Sequence, residues 1–183
     1  MKKALILIDI QNDYFPGGRF ELNQPDAAAQ NAKRALDYFR KKGRPIFHVQ
    51  HINTNAEAPF FIANTAGVNI HPLVSPFPGE SLIVKNTPDS FVNTDLFQSL
   101  NELGIKQVVI CGMMSHMCID TTVRSAKRLG LAIELLSDAC TTRDLRWENT
   151  PVPAKLVHAT FMAALQNTFA DVKETMTFIK SDP

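Results

Sequence analysis

No surplus of charge marks this chain: 19 Lys and Arg stand against 18 Asp and Glu, a net +1, and no basic cluster exceeds a few residues. A partner held by its phosphates requires a dense positive surface, so neither nucleic acid nor a membrane surface is an expected partner. Long apolar runs are absent as well. Near the N-terminus the run 4–8 is cut by Asp9, too short for a secretory leader or for a span of roughly 20 residues. Cysteine is scarce: there are three, with no Cys-x-x-Cys and no Asn-x-Ser/Thr acceptor. That argues against a disulfide scaffold and for a reducing, cytoplasmic setting. Neither Gly-x-Gly-x-x-Gly nor Gly-x-x-x-x-Gly-Lys occurs, so dinucleotide binding and P-loop chemistry have no support.

What is present is an ordinary globular composition, 45% hydrophobic and 20% charged, and 183 residues, enough for one domain spanning 1–183. Apolar runs alternate with segments of helical period. Strands are expected at 4–10, 45–51, 81–85, 105–111 and 131–137, with a short edge strand near 171–172. Helices are expected at 25–42, 93–103, from Gly112 to about 129, and at 153–169. The strands lack in/out alternation, which implies a parallel sheet covered on both faces. The expected fold is α/β: a single doubly wound domain with a mostly parallel six-stranded sheet and helices on both faces, its ligands beyond the C-terminal strand ends. The 52–80 connection is long and carries the apolar segments Pro59-Phe60-Phe61-Ile62 and Pro76-Phe77-Pro78. It is expected to cover the site and to contribute to a homo-oligomer contact.

Three reactive groups follow strand ends: Asp9 after the first, Lys85 at the third, Cys118 after the fourth. A carboxylate beside a thiol accepts its proton, and an ammonium between them favours both anions. The segment Val108-Val109-Ile110-Cys111-Gly112-Met113-Met114-Ser115-His116-Met117-Cys118 reads as strand, turn and helix start. A cysteine at a helix start is expected to have a lowered pKa, because free N–H groups favour a thiolate.

With these residues in view, the chain resembles the cysteine hydrolases of the isochorismatase-like superfamily, which includes nicotinamidases and N-carbamoyl amide hydrolases. The resemblance covers nearly the whole chain. It rests on Leu7-Ile8-Asp9-Ile10-Gln11-Asn12-Asp13-Tyr14-Phe15, on Lys85 with Ser90-Phe91 and Thr94-Asp95-Leu96, on Gly112–Ile119, and on Thr122, Arg124, Ala126, Gly130 and Ser137-Asp138-Ala139-Cys140. It implies a triad of Asp9, Lys85 and Cys118, oxyanion-hole amides at Met114 and Cys118, and a non-proline cis peptide at Met113–Met114. The implied chemistry is cleavage of a C–N amide, imide or carbamoyl bond of a small molecule through a Cys118 thioester, with no cofactor. Ether cleavage of an isochorismate-like substrate and a non-catalytic binding or assembly role are the alternatives.

The metal-holding nicotinamidases carry an Asp-x-His element after the second strand, and here Val49 takes the carboxylate's place in Phe47-His48-Val49-Gln50-His51. No metal is therefore expected, and His48, His51 and His71 are read as core or pocket histidines. Gln11, Phe15, His116 and Trp147 are the expected substrate-binding residues, with His116 also a candidate proton donor. Phe60 and Phe61 fit a pocket wall or a subunit contact, and Cys111 and Cys140 are packing residues.

Overall fold

A computed structural model describes residues 2–55 and 57–182 of the chain. Six strands form one sheet: β1 (Lys3–Ile8), β2 (Ile46–His51), β3 (Ser81–Lys85), β4 (Gln107–Met113), β5 (Ala132–Thr141) and, last in the chain, β8 (Asp171–Lys173). Their order is β3-β2-β1-β4-β5-β8, and every pairing is parallel. β1 reads Lys-Ala-Leu-Ile-Leu-Ile and buries every residue after Lys3, as an inner strand covered on both faces requires. From β1 the chain steps outward to β2 and β3, then returns to the other side of β1 with β4. Strand order thus reverses between β1 and β4, the place where open α/β sheets leave a crevice at their C-terminal edge.

Five helices accompany the sheet: α1 (Pro25–Lys41), α2 (Leu96–Glu102), α3 (Asp120–Arg128), α4 (Ala154–Leu165) and α5 (Thr175–Ser181). α1 starts on a proline, whose fixed φ suits the first helical position, and buries Ala28, Ala29, Ala32, Ala35, Leu36 and Phe39. Its alanines let it lie close against β1 and β5. Helices touch in two sets, α1 with α5 and α3 with α4.

Several boundaries differ from the periodicity. β5 runs on to Thr141 because a bulge between Ile110 and Gly112 shifts its register, pairing Leu135 with Ile110 but Cys140 with Gly112. Ser137 and Asp138 lie inside that irregularity, where polar side chains are tolerated, so the expected end at residue 137 falls short. α4 ends at Leu165, not 169, because Gln166 turns extended and Asn167 takes a positive φ. α2 begins at Leu96, the preceding turn being held by Thr94 Oγ1 donating to Ser90 O, 2.6 Å. A two-stranded hairpin, β6 (Leu145–Trp147) with β7 (Thr150–Val152), and the short α5 were not visible in the pattern. Three-residue strands carry too little periodicity to register.

The 52–80 connection, residue 56 apart, is tied down by the segment after β1. Gln11 bridges Ile70, Asn12 N–H donates to Asn69 O, and His71 N–H donates to Ile10 O. Asp13 Oδ2 accepts from Phe61 N–H at 2.6 Å. Gly67 lies so close to that carboxylate that an added Cβ would stand 2.0 Å from Asp13 Oδ1.

Candidate active site

The three reactive side chains come from three places along the C-terminal edge of the sheet: the turn after β1, the end of β3 and the turn after β4. Asp9 leaves β1 with φ 54°, the left-handed region that a non-glycine residue occupies only when its surroundings hold it there. Its N–H donates to Val49 O, 3.0 Å, continuing the β1–β2 ladder through the turn. Lys85 is the last residue of β3, and only 1% of its surface is exposed. Cys118 follows β4 across Gly112, where φ is +130° and an added Cβ would stand 2.0 Å from Ile8 O. Only glycine lets β4 pass β1 this closely, so Gly112 sets the approach of the cysteine to the aspartate. The Met113–Met114 peptide is cis.

Cys118 sits in a π turn (Ser115–Ile119) that precedes α3, not in the first turn of an α-helix. Met114 O accepts from both Met117 N–H (3.0 Å) and Ile119 N–H (3.2 Å), the second being the wide bond that defines such a turn.

The three groups converge. Lys85 Nζ stands 2.7 Å from Asp9 Oδ2 and 3.2 Å from Cys118 Sγ. Apart from these two neighbours, the Asp9 carboxylate is buried with neither oxygen in a well-aligned hydrogen bond. Burial works against the Lys85 ammonium, but its contacts with the Asp9 carboxylate, first, and the Cys118 sulfur outweigh it and hold its pKa above the ordinary value. For Cys118 the balance runs the other way. Burial pushes the thiol's pKa well up, the Asp9 carboxylate adds to that, and Lys85 offsets only part. The lowered pKa expected of a helix-start cysteine is therefore corrected: in this buried setting a second anion beside Asp9 is disfavoured, and the resting form is the thiol.

The four expected substrate-binding residues fare differently. Gln11 has no free amide: Nε2 donates to His51 O (2.9 Å) and Val68 O (2.7 Å), and Oε1 accepts from His51 N–H (2.8 Å). It braces the rim rather than reaching into the crevice. Trp147 is 74% exposed on the β6–β7 hairpin, too narrow an element to cover an indole, and stands as a surface residue. Phe15 is buried and stacks on His71 with centroids 3.8 Å apart. His116 Nδ1 is 2.5 Å from Thr142 Oγ1 and its ring meets Phe161 edge-on. Burial, then the charge of Arg143, lowers its pKa. Phe61 is fully buried in its own chain against Tyr14, at 4.5 Å, which removes it as a subunit contact; Phe60 stacks on Phe20 at 4.2 Å.

The histidines considered as metal ligands do not gather. His48 Nε2 lies 2.8 Å from Glu80 Oε2, His71 is stacked on Phe15, and His51 Nδ1 lies 2.9 Å from Lys85 Nζ. The set of donors that does converge among the described residues is Asp9, His51 and Cys118, whose ligand atoms lie within 4.8 Å of one another. Lys85 Nζ touches all three, so a cation already occupies their midst.

Sequence reading missed Tyr14, Arg143 and the braces behind the triad. Tyr14 is almost wholly buried, and burial first, with Cys118 and Asp9 close by, raises its pKa. Arg143 lies over the Phe20 ring at 4.7 Å, and its charge is felt at both Tyr14 and His116. Ser90 and Thr122 join hydroxyls at 2.9 Å, and Asp89 accepts from Ser125 Oγ and from Phe91 N–H. These bonds stitch the loop after Lys85 to the helix after Cys118. Ser115 Oγ is 2.7 Å from His158 Nδ1, tying the π turn to α4. Nothing in a one-dimensional pattern couples residues so distant in the chain.

An all-parallel doubly wound sheet with a buried Asp–Lys–Cys cluster at its C-terminal edge has the build of a hydrolase. The chain matches the isochorismatase domain over residues 3–176, and it belongs to that family. It is 53% identical over 180 residues to the isochorismatase family protein YddQ of Bacillus subtilis, covering 98% of this chain and 100% of that one. A crystal structure of an isochorismatase from Pseudomonas putida superposes with a TM-score of 0.91 at 39% identity, over 96% of this chain and 89% of that one. More distantly, Escherichia coli nicotinamidase is 24% identical over 75% of this chain and 82% of its own. N-carbamoylsarcosine amidase from Thermoplasma acidophilum, 21% identical, shares the fold with a TM-score of 0.80 over 96% of this chain and 97% of that one.

Proposed function

We propose that this isochorismatase-family protein is a cysteine-dependent hydrolase of a small-molecule C–N bond in an amide, imide or carbamoyl group. The observation that carries the reading is the contact of Lys85 with both Asp9 (2.7 Å) and Cys118 (3.2 Å), all three buried at the C-terminal edge of the sheet. Because Cys118 rests as a thiol, attack and deprotonation are coupled. Asp9 takes the proton as Sγ adds to the carbonyl carbon, and Lys85 keeps the site near neutrality throughout. The backbone N–H groups of Met114 and Cys118 receive the developing oxyanion. Asp9 then passes the proton to the departing nitrogen, leaving an acyl group on sulfur. Water, deprotonated by the same carboxylate, releases the acid and restores the thiol. An Asp9 carboxylate with no other well-aligned partner keeps a lone pair for this shuttle. The likeness to Escherichia coli nicotinamidase supports an amide as the substrate class. We further propose that the connection around Phe60 and Phe61 walls the crevice and keeps bulk water from it.

The test is a panel of small amides, imides and carbamoyl compounds followed by ammonia or carboxylate release, with acyl-enzyme trapping and mass analysis of the Cys118 peptide. Release that depends on Cys118, with an adduct on that peptide, supports the reading. Turnover by Cys118→Ala within tenfold of wild type would point instead to acid-only ether cleavage from Asp9.

A further inference from the structure

His51 ends β2 beside the triad, and its place is unusually well defined. The Gln11 carboxamide grips both its N–H and its C=O. Its ring lies 6.0 Å from that of Phe61, and Nδ1 is 2.9 Å from Lys85 Nζ. Around that ammonium stand Asp9 Oδ2 (2.7 Å), His51 Nδ1 (2.9 Å), Thr87 O (3.0 Å) and Cys118 Sγ (3.2 Å). An ammonium only donates, so an imidazole nitrogen at 2.9 Å must accept. The ring is therefore neutral, with its proton on Nε2. Two residues on, Asn53 Nδ2 donates to Phe60 O at 2.7 Å, fixing the start of the 52–80 connection next to His51.

We propose that His51 is a positioning residue for Lys85: neutral, it holds the ammonium between Asp9 and Cys118, and protonated, it expels the ammonium and switches the triad off in acid. The charged or titratable groups facing it are Lys85 from β3, Asp9 from β1 and Cys118 from the π turn. Burial, then Lys85, lowers its pKa from the ordinary 6.5, with Asp9 opposing. The switch accordingly closes below pH 6.5, and the triad is intact above it. This rests on the Cys118 hydrolase reading for its consequence in turnover, but not for the contact itself.

Two measurements test it. Nitrogen-15 shifts of histidine-labelled wild type at pH 7.5 report the tautomer without any variant: Nδ1 unprotonated and Nε2 protonated is expected, and an Nδ1–H tautomer overturns the proposal. The second is the rate of Cys118 alkylation by iodoacetamide from pH 5 to 9, read on the Cys118 peptide, for wild type, His51→Gln and His51→Leu, each checked for an unchanged melting temperature. Glutamine accepts at every pH, so below pH 6.5 the rate should fall less steeply in His51→Gln than in wild type, each keeping the fall that belongs to the thiol itself. Leucine cannot accept, so His51→Leu should be slower by about 10–100-fold at pH 8. An identical pH profile in wild type and His51→Gln overturns the proposal. The two readings fail separately. Hydrolysis that is independent of Cys118, with alkylation still responding to His51, defeats the hydrolase reading alone; hydrolysis that needs Cys118, with alkylation indifferent to His51, defeats only this one.

Discussion

Two carboxylates at opposite ends of the same sheet, one half-buried and one wholly buried, differ in how fully their oxygens are used. Glu80 stands before β3, at the N-terminal edge. It receives Arg40 Nε at 2.7 Å and Nη2 at 2.9 Å, the Phe77 N–H at 2.9 Å and His48 Nε2 at 2.8 Å. Against burial, these partners hold its pKa down at about 2. Asp9, at the C-terminal edge, has the Lys85 ammonium and the Cys118 thiol for neighbours and no well-aligned hydrogen bond. A saturated carboxylate has no lone pair left for a proton in transit and acts as a structural tie. An under-satisfied one beside a thiol is poised to take a proton, at a cost in stability that the surrounding core must bear. The contrast separates a site from a brace more cleanly than burial or charge does.

The largest effect should follow from cutting the Asp9 side of this contrast. Cys118→Ala and Asp9→Asn are each expected to lower kcat/KM by about 10⁴-fold on any amide the wild type cleaves, while Glu80→Gln stays within about threefold. Parallel assays of the three variants check this; a comparable loss in Glu80→Gln would erase the distinction.

Asp9→Asn should also destabilise the fold by about 3–5 kcal/mol, since it leaves the Lys85 ammonium buried beside an amide. Cys118→Ala should cost about 1–2 kcal/mol. Adding Lys85→Met to Asp9→Asn should recover most of the lost stability and none of the activity. Denaturant unfolding of the double variant checks the point, and no recovery would mean that the ion pair does not dominate the energetics of the crevice.

Glu80→Gln should cost about 1–3 kcal/mol at neutral pH. Because the folded pKa of Glu80 lies below its ordinary 4.5, its contribution is complete above that pH and fades as pH falls towards about 2. Wild type and Glu80→Gln should therefore converge in stability across that window, which acid titration of unfolding midpoints would show. A constant gap down to pH 2 would assign the cost to lost packing instead.

The smallest effect is expected at Trp147. With its ring 74% exposed, Trp147→Ala should change stability by no more than about 0.5 kcal/mol and leave KM unaltered. A tenfold rise in KM would restore it as a substrate contact.

Much of this architecture was legible in one dimension, and for identifiable reasons. Inner parallel strands are buried on both faces, so residues 4–8 and 108–113 appear as uninterrupted apolar runs. A polar residue at the end of such a run is conspicuous because desolvating it is costly, which is how Asp9 stood out; Lys85 was marked by its place at a strand end and Cys118 by the strand, turn and helix start around it. The family resemblance added the cis peptide, which backbone pattern does not encode. Periodicity failed where tertiary context overrides it: at the β5 bulge, in the three-residue hairpin strands, and at the π turn that carries the cysteine.

The sequence by itself determined the strand and helix alternation, the parallel sheet, and the three reactive side chains at its C-terminal edge, because each leaves a local mark in hydrophobic period or in a polar residue out of place. Only the tertiary structure decided the burial of Cys118 beside Asp9 and Lys85, the contact of His51 with Lys85, the bracing contacts of Gln11 and the surface position of Trp147. Those depend on distances of 3–4 Å between segments tens of residues apart, and electrostatics and hydrogen bonding act over that distance in space, not along the chain.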